Sequence, residues 1–309
     1  MTTDARRNLL ERLIDDAGLF PPARLAMPDA LQGHAANRVG PLAWVQGRFI
    51  APASALGTVV PAWPEGLPAI RLSVVADTAG QADGAGFAAA LDADLAAAAA
   101  LERSEARVRI ELVEVRVPDP GHADVVTAAV RRAGFEGPVA AFVEAPDSTS
   151  ADALRATVAA VAAARAAGAT RLGAKVRCGG LEASMIPSPA AVAAFLAACV
   201  AGELPFKATA GLHHPVRGID PASGMRMHGF VNLLVATALL RAAALDDASE
   251  VIGEQDASAF TLAAEAVGWR ELTVDAAAVA SVRETSLTAY GSCSFDEPTA
   301  DLAALGWLP

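Results

Sequence analysis

Two lysines stand out because the chain otherwise uses arginine as its cation. Of 309 residues, 22 are arginine and two are lysine: Lys175 in "GAKVRC" and Lys207 in "FKATAG". Arginine stays protonated, whereas a partly desolvated lysine can lose its proton near neutral pH and attack a carbonyl carbon. Each lysine lies in a β-rich run, and ammonium groups on neighbouring strands lower each other's pKa. We therefore predict a two-amine centre in which Lys207 forms an imine and Lys175 lowers its pKa.

Further charges fall on the same β-rich runs. Alternate side chains of a strand share a face, and the C-terminal ends of parallel strands surround the end where barrel enzymes do their chemistry. We expect Glu144 to transfer protons there and Arg177 to bind an anionic group with the backbone of Gly179 and Gly180. The same charges could instead form a buried ion-pair network above an apolar floor. Other expected substrate-binding side chains are Arg48, Glu114, Arg116 and Thr209.

Three of the five histidines, His213, His214 and His228, follow the run that holds Lys207. Imidazole titrates near neutral pH, so these side chains suit proton transfer or hydrogen bonds to substrate oxygens. His213 is the first choice for catalysis because it follows Lys207 most closely. A divalent metal is the alternative ligand, although no H-x-H or H-E-x-x-H spacing accompanies the three. Tyr290, the only tyrosine, is expected to line the same opening.

Short β-rich runs alternate with alanine-rich helical segments along the chain. This alternation predicts parallel strands joined by helical crossovers, and about eight units favour a (β/α)8 barrel of the TIM type. Strands are predicted at residues 42–50, 69–77, 108–117, 138–145, 171–178 and 205–211, with weaker ones at 250–254 and 287–295. Helices are predicted near 81–103, 121–134, 149–168, 188–202, 229–245, 257–268 and 275–286.

The chain is predicted to be one domain spanning residues 1–309. Residues 1–40 precede the first predicted strand, and we expect them to form a capping extension across one end of the barrel. No linker-like segment and no internal repeat divides the remaining sequence.

Charge and composition exclude several classes of partner. The formal net charge is −11 and no basic run is present, so nucleic-acid binding is not expected. No uninterrupted apolar stretch reaches the roughly 20 residues that span a bilayer, and the N-terminus lacks an apolar signal core. We expect a cytoplasmic protein that binds a small-molecule substrate, with homo-oligomerisation open. Three widely spaced cysteines predict reduced thiols.

Three segments, "FKATAGLHHPVR", "MHGFVNLLVA" and "YGSCSFDEP", resemble a bacterial family of β/α-barrel proteins without an assigned function. That resemblance covers most of the chain and implies the fold alone. Locally, "KATAGL" resembles the K-T-S-T-G-F strand of deoxyribose-phosphate aldolases at Lys207, Thr209 and Gly211. "GAKVRCGG" resembles the strand of their second lysine at Lys175, although here this lysine precedes the other along the chain. The local resemblance implies class I chemistry, in which a lysine forms a Schiff base.

We therefore predict a lyase of the aldolase type that acts on a small oxygenated carbonyl compound through a lysine imine, without a cofactor. The first alternative is a metal-dependent barrel lyase, isomerase or hydrolase that uses the three histidines and Glu144. The second is a non-catalytic barrel that binds a metabolite and whose charges are structural.

Overall fold

The computed structural model describes residues 2–78 and 84–309. Its strands are β1 Ile14–Asp16, β2 Gln46–Pro52, β3 Ile70–Val75, β4 Val108–Arg116, β5 Ala140–Glu144, β6 Leu172–Arg177, β7 Phe206–Thr209, β8 Gly218–Ile219, β9 Arg226–Met227, β10 Phe260–Leu262, β11 Ala266–Trp269, β12 Leu272–Asp275 and β13 Leu287–Ser292. Its α-helices are α1 Ala5–Leu10, α2 Met27–Val39, α3 Val59–Ala62, α4 Gly84–Ser104, α5 Ala123–Ala133, α6 Ala151–Ala166, α7 Pro189–Ala201, α8 Phe230–Arg241, α9 Ser249–Gly253, α10 Ala276–Thr285 and α11 Asp296–Ala304.

Eight parallel strands close into a barrel, which confirms the predicted (β/α)8 fold. Around the barrel the strands follow in the order β1 to β7 and then β13, which pairs with β1. Because all eight run in the same direction, their C-terminal ends lie together at one end, here called the mouth. The opposite end, where the strands begin, is called the floor.

Helix-capping residues explain where several barrel helices begin. Ser150 and Ser188 each accept a hydrogen bond from the backbone N–H three residues later, which fixes the first turns of α6 and α7. Pro189 occupies the first turn of α7, where its missing N–H costs nothing. Gly134 ends α5 in the left-handed conformation that glycine adopts without strain.

The hydrophobic core lies between the barrel and its helices. In β4, Val113 and Val115 are fully buried in this core, whereas Glu114 faces the barrel interior. Leu91 and Leu95 of α4 and Val126 of α5 belong to the same cluster. Burying a side chain of this size contributes about 1.5–3 kcal/mol, so the outer core holds the barrel closed around a polar interior.

The first barrel strand was not predicted from the sequence. β1 has three residues, Ile14–Asp16, and two of them are aspartates, so it lacks the apolar alternation that marks a strand. It lies within residues 1–40, so the expectation that this segment precedes the first barrel strand is wrong. Ala17 continues β1 at the mouth, where its backbone N–H donates to the carbonyl of Ser292.

Two further expectations fail near the C-terminus. The weak strand predicted at 250–254 is the helix α9, and the helix predicted at 257–268 is a 3₁₀ turn followed by β10 and β11. Alanines raise the apparent helix propensity here, but the alternating residues of "FTL" and "AVGW" pair across an antiparallel sheet with β12. The helix predicted at 81–103 corresponds to α4, and its first residues, 81–83, lie outside the described residues.

Two helical segments, Gly84–Ser104 and Ala183–Ala201, are long and apolar enough to cross a membrane by length and composition alone. In the barrel, α4 packs against α5 and α7 packs against α6. Alanine-rich helices that pack on a barrel meet the same criteria. Length and composition therefore do not distinguish a membrane-spanning helix from a helix that packs on the barrel.

Candidate functional site

One carboxylate, that of Glu114, bridges the two lysines inside the barrel. Its Oε1 lies 2.5 Å from Nζ of Lys207 and accepts a hydrogen bond from the Ser73 hydroxyl at 2.6 Å. Its Oε2 lies 2.7 Å from Nζ of Lys175. The lysines are direct cross-strand neighbours on β6 and β7, so strand pairing brings their side chains to the same carboxylate.

Each lysine has a second acidic partner on the side away from Glu114. Nζ of Lys207 lies 2.6 Å from Oδ2 of Asp15 on β1, and Nζ of Lys175 lies 2.7 Å from Oε2 of Glu144 on β5. Carboxylates and ammonium groups therefore alternate across the barrel interior. We call these five residues the ion layer: Asp15, Lys207, Glu114, Lys175 and Glu144.

The ion layer keeps Glu114 and Lys175 charged. Burial alone would raise the pKa of Glu114, but the charges and hydrogen bonds of the two lysines outweigh burial and hold that pKa well below its usual range. Burial would lower the pKa of Lys175, but Glu114 and Glu144 outweigh it and raise the pKa to about 12. The expectation that the amines lower each other's pKa is thus wrong for Lys175, because a carboxylate separates them.

The two lysines differ in access to solvent. The side chain of Lys207 has no exposed surface, whereas that of Lys175 retains 6% of its surface. Glu144, the last residue of β5, lies beside Lys175, and its Oε1 is 4.0 Å from the exposed guanidinium of Arg177. Lys175 is therefore the lysine of the ion layer whose side chain keeps some exposed surface.

Arg116, Arg177 and Thr209 lie at the strand ends, as predicted. Arg116 is exposed and donates a hydrogen bond to the carbonyl of Pro146, and Arg177 donates through Nε to the carbonyl of Gly179. The Thr209 hydroxyl lies 3.1 Å from where a Cβ on Gly291 would be, so Thr209 also faces the interior. Two guanidinium groups thus accompany the ion layer at the mouth.

Close packing explains the glycine pair after β6. A Cβ on Gly179 would lie 2.8 Å from Cα of Gly211, and one on Gly180 would lie 2.5 Å from the Cβ of Met185. The loops after β6 and β7 therefore approach each other more closely than side chains would permit. Anion binding by Gly179 and Gly180 stays a prediction.

His213 forms a small cluster with an acid and a thiol near the end of β13. Its Nδ1 lies 3.0 Å from Oε2 of Glu297, and Sγ of Cys293 lies 3.9 Å from both ring nitrogens. Interactions with Cys293, and then with Glu297, outweigh burial and raise the pKa of His213 to about 9. All three cysteines are free thiols, as expected, and Cys293 is less buried than Cys178 and Cys199.

The histidines do not form the single metal cluster considered from the sequence. His214 lies between Asp301 at 2.7 Å and Asp220 at 3.2 Å, and possible ligand atoms of His214, Asp220 and Glu297 lie within 4.8 Å of one another. His228 is buried elsewhere, with Nε2 2.8 Å from the carbonyl of Pro187. Burial lowers the pKa of His228 to about 4, so its ring is neutral at neutral pH.

Two further predicted mouth residues also lie elsewhere. Arg48 lies towards the floor, where Nε is 2.8 Å from Glu111 and Nη1 is 3.6 Å from Asp15. The expected apolar floor is therefore wrong, since charged side chains occupy it. Tyr290 is buried outside the barrel interior and stacks on Phe230 of α8 with ring centroids 4.9 Å apart.

Two members of the site were missed by the sequence analysis. Asp15 and Ser73 are both fully buried; Asp15 contacts Lys207, and the Ser73 hydroxyl donates a hydrogen bond to Glu114. Asp15 lies in the unrecognised strand β1, and Ser73 is a small polar residue in the middle of an apolar run. A charged pair directly after the apolar "LI" was the available signal for Asp15.

No protein-family model and no curated protein sequence matches this chain. The predicted resemblance to β/α-barrel proteins and to deoxyribose-phosphate aldolases therefore stays a prediction.

Proposed function

We propose that the chain is a barrel enzyme of the lyase class that cleaves or forms a carbon–carbon bond beside a carbonyl through a lysine imine. The observation that carries the proposal is the bridging of Lys175 and Lys207 by Glu114 inside a closed barrel. Charged groups are costly to remove from water and bury, and yet both lysines of the chain lie in the buried ion layer. A chemical role for the amine accounts for that use of lysine.

Solvent access favours Lys175 as the amine that forms the imine. The sequence predicts Lys207, but a substrate that enters at the mouth meets Lys175 first, because Lys207 is fully enclosed. Lys207 then acts as a fixed positive charge that keeps Glu114 ionised. The exposed Arg116 and Arg177 supply charge for an anionic group of the substrate.

Proton transfer is assigned to Glu144. Lys175 is protonated at rest, so Glu144, 2.7 Å away, takes one proton as the nitrogen attacks the carbonyl carbon. Glu144 returns this proton to the hydroxyl of the carbinolamine, which leaves as water and gives an iminium ion. Glu144 then takes the β-hydroxyl proton, and the carbon–carbon bond breaks with release of an aldehyde or ketone. The electron pair of that bond forms the carbon–carbon double bond of an enamine, and the iminium π electrons return to the nitrogen. Glu144 gives its proton to the enamine carbon, and hydrolysis of the new iminium ion releases the second carbonyl product and returns Lys175 as an ammonium group.

Borohydride trapping tests the imine directly. The protein is reduced with sodium borohydride in the presence of small aldehydes and ketones, including acetaldehyde, glycolaldehyde, dihydroxyacetone and pyruvate, and the adduct is located by peptide mass spectrometry. We expect a reduced adduct on Lys175 that Lys175→Arg abolishes, since a guanidinium cannot form an imine. Lys207→Arg serves as the matched variant and should retain the adduct.

The outcomes separate the hypotheses. An adduct on Lys207 alone would return the imine to the lysine predicted from the sequence. If no carbonyl compound is trapped on either lysine of the folded protein, a non-catalytic metabolite-binding barrel becomes the better description.

A metal-dependent reaction is the second candidate, favoured by the grouping of His214, Asp220 and Glu297. Both nitrogens of His214 contact carboxylates, so an ion would replace one of these contacts. Elemental analysis after exposure to zinc or manganese would test it. Stoichiometric metal that His214→Ala removes would support this candidate, and its absence would exclude the site at the concentrations used.

A further inference from the structure

A cavity opens at the floor of the barrel, opposite the proposed catalytic end. It has a volume of about 490 Å³ and is lined by residues at or just before the starts of several strands. Cavities that hold small molecules span roughly 300–1,000 Å³, so this one is large enough for a metabolite. Its charged lining consists of Arg12, Arg48, Arg109, Arg171 and Glu111.

The charge of this cavity is opposite to that of the protein. Four arginines and one acid line it, although the chain as a whole has a net charge of −11. Glu111 is shared, because its Oε2 lies 3.1 Å from Nη2 of Arg12 and 2.8 Å from Nε of Arg48. Its single charge therefore balances at most one of the two guanidinium groups.

The other two lining arginines are weakly partnered. Nη1 of Arg109 lies 3.6 Å from Glu102 and 3.8 Å from Glu136, beyond hydrogen-bond distance. The guanidinium of Arg171 makes no hydrogen bond or ion pair with any part of the chain that the structure describes. Both side chains are exposed and have donors available for a ligand.

Further arginines behind the lining add to the positive charge. Within residues 2–78 and 84–309, the buried Nη1 of Arg38 and Nε of Arg71 have no hydrogen-bond partner. Burial, and then the positive charges of Arg12, Arg38 and Arg48, lower the pKa of Arg71 to about 10. Like charges so close together repel, and an anion in the cavity would offset that repulsion.

We propose that the floor cavity binds a small molecule with two or more anionic groups, either phosphates or carboxylates. Guanidinium groups pair with both through parallel hydrogen bonds, and several of them around one cavity favour multiply charged ligands over single ions. The site is separate from the ion layer but linked to it. The backbone N–H of Arg48 donates to Oδ1 of Asp15 at 2.7 Å, and Oδ2 of the same carboxylate contacts Lys207.

Isothermal titration calorimetry on the full chain tests the proposal. Pyrophosphate represents the phosphates and citrate the carboxylates, with sodium chloride at matched ionic strength as the control for screening. We expect saturable 1:1 binding of at least one of the two anions. Binding of pyrophosphate alone would assign phosphate chemistry to the site, and binding of citrate alone would assign carboxylate chemistry.

Two variants locate the binding. The double variant Arg109→Gln/Arg171→Gln removes two exposed charges from the cavity and should weaken binding at least about tenfold, because each lost charge-assisted pair reduces affinity. Arg155→Gln removes an exposed arginine from α6, outside the cavity lining, and should bind as the wild type does. Circular dichroism checks that both variants are folded. Failure of both anions to bind, or equal binding by the double variant, would overturn the proposal.

Discussion

Glu114 is the residue on which the charges of the barrel interior depend. It accepts contacts from two ammonium groups and one hydroxyl, all at 2.7 Å or less. If Glu114 lost its charge, Lys207 would keep Asp15 as a partner and Lys175 would keep Glu144. These two ion pairs would then no longer be joined to each other. The ion layer therefore acts as one unit.

Replacing Glu114 with glutamine, which has nearly the same shape, should lower the free energy of unfolding. Glu114→Gln removes a buried charge between two cations, and breaking a buried pair in this way typically costs about 3–5 kcal/mol. Ser73→Ala, which removes only the neutral donor to the same oxygen, should cost about 1 kcal/mol. Urea denaturation at pH 7 measures both changes in the free energy of unfolding. Equal effects of the two variants would show that the charge of Glu114 contributes little.

The His213 cluster provides a second test at the scale of single residues. Cys293 is the largest cause of the raised pKa of His213, and Glu297 contributes less. Cys293→Ser should therefore lower the pKa from about 9 towards 6.5, and by more than Glu297→Gln does. Proton NMR titration of the imidazole resonances measures this order directly. A larger shift in Glu297→Gln would mean that the carboxylate, rather than the thiol, holds the proton on the ring.

Among the elements, β1 depends most on side-chain contacts. It has only three residues, and its Asp15 accepts the backbone N–H of Arg48 on β2 and contacts Lys207 on β7. The longer strands around it have apolar alternation or continuous apolar runs that predict them from sequence. A three-residue strand with two acids has neither, so its place in the barrel follows from tertiary contacts that sequence patterns do not reveal.

The glycine at position 47 of β2 makes the pairing of β1 with β2 possible. A Cβ there would lie 2.1 Å from Oδ1 of Asp15 and 3.0 Å from the carbonyl of Ile14, so Gly47→Ala should displace β1 and cost about 1–3 kcal/mol. Gly57→Ala is the matched control, because an added Cβ there meets no atom within 4 Å apart from its own chain neighbours and helix backbone. Thermal and urea denaturation compare the two. Similar stabilities for both variants would mean that β1 tolerates displacement.

At the scale of the whole molecule, the sequence predicts the barrel better than it predicts the site. Alternation along 300 residues averages over local errors, so one missed barrel strand, one wrong strand and one wrong helix leave the fold unchanged. The site depends on single positions. Charged residues are rare on strands, which made it possible to predict Lys175, Lys207, Glu114 and Glu144. Whether Tyr290 points into the barrel or away from it depends instead on strand register, which the sequence does not reveal.

The stability of the whole molecule should depend on pH through buried histidine. His228 has a folded-state pKa of about 4, below its unfolded value near 6.5, so unfolding takes up a proton between these values. Stability is therefore lost as the pH falls from about 6.5 to 4, by about 3 kcal/mol in total. Unfolding free energies measured across this range should decline less steeply in His228→Gln. An unchanged slope would assign the decline to other groups.

The raised pKa of His213 changes the stability in the opposite direction and over a different pH range. Its contribution to stability is present below about pH 6.5 and is lost as the pH rises towards 9. Taken by themselves, the two histidines give a pH of greatest stability near 6.5.

The pairing of β1 with β13 has a consequence for synthesis on the ribosome. The barrel is closed by its first and last strands, β1 and β13, which lie far apart along the chain. Asp15 emerges from the ribosome early and Lys207 much later, and the closing strand ends at Ser292. A nascent chain therefore cannot assemble the ion layer inside a closed barrel until β13 has also been translated.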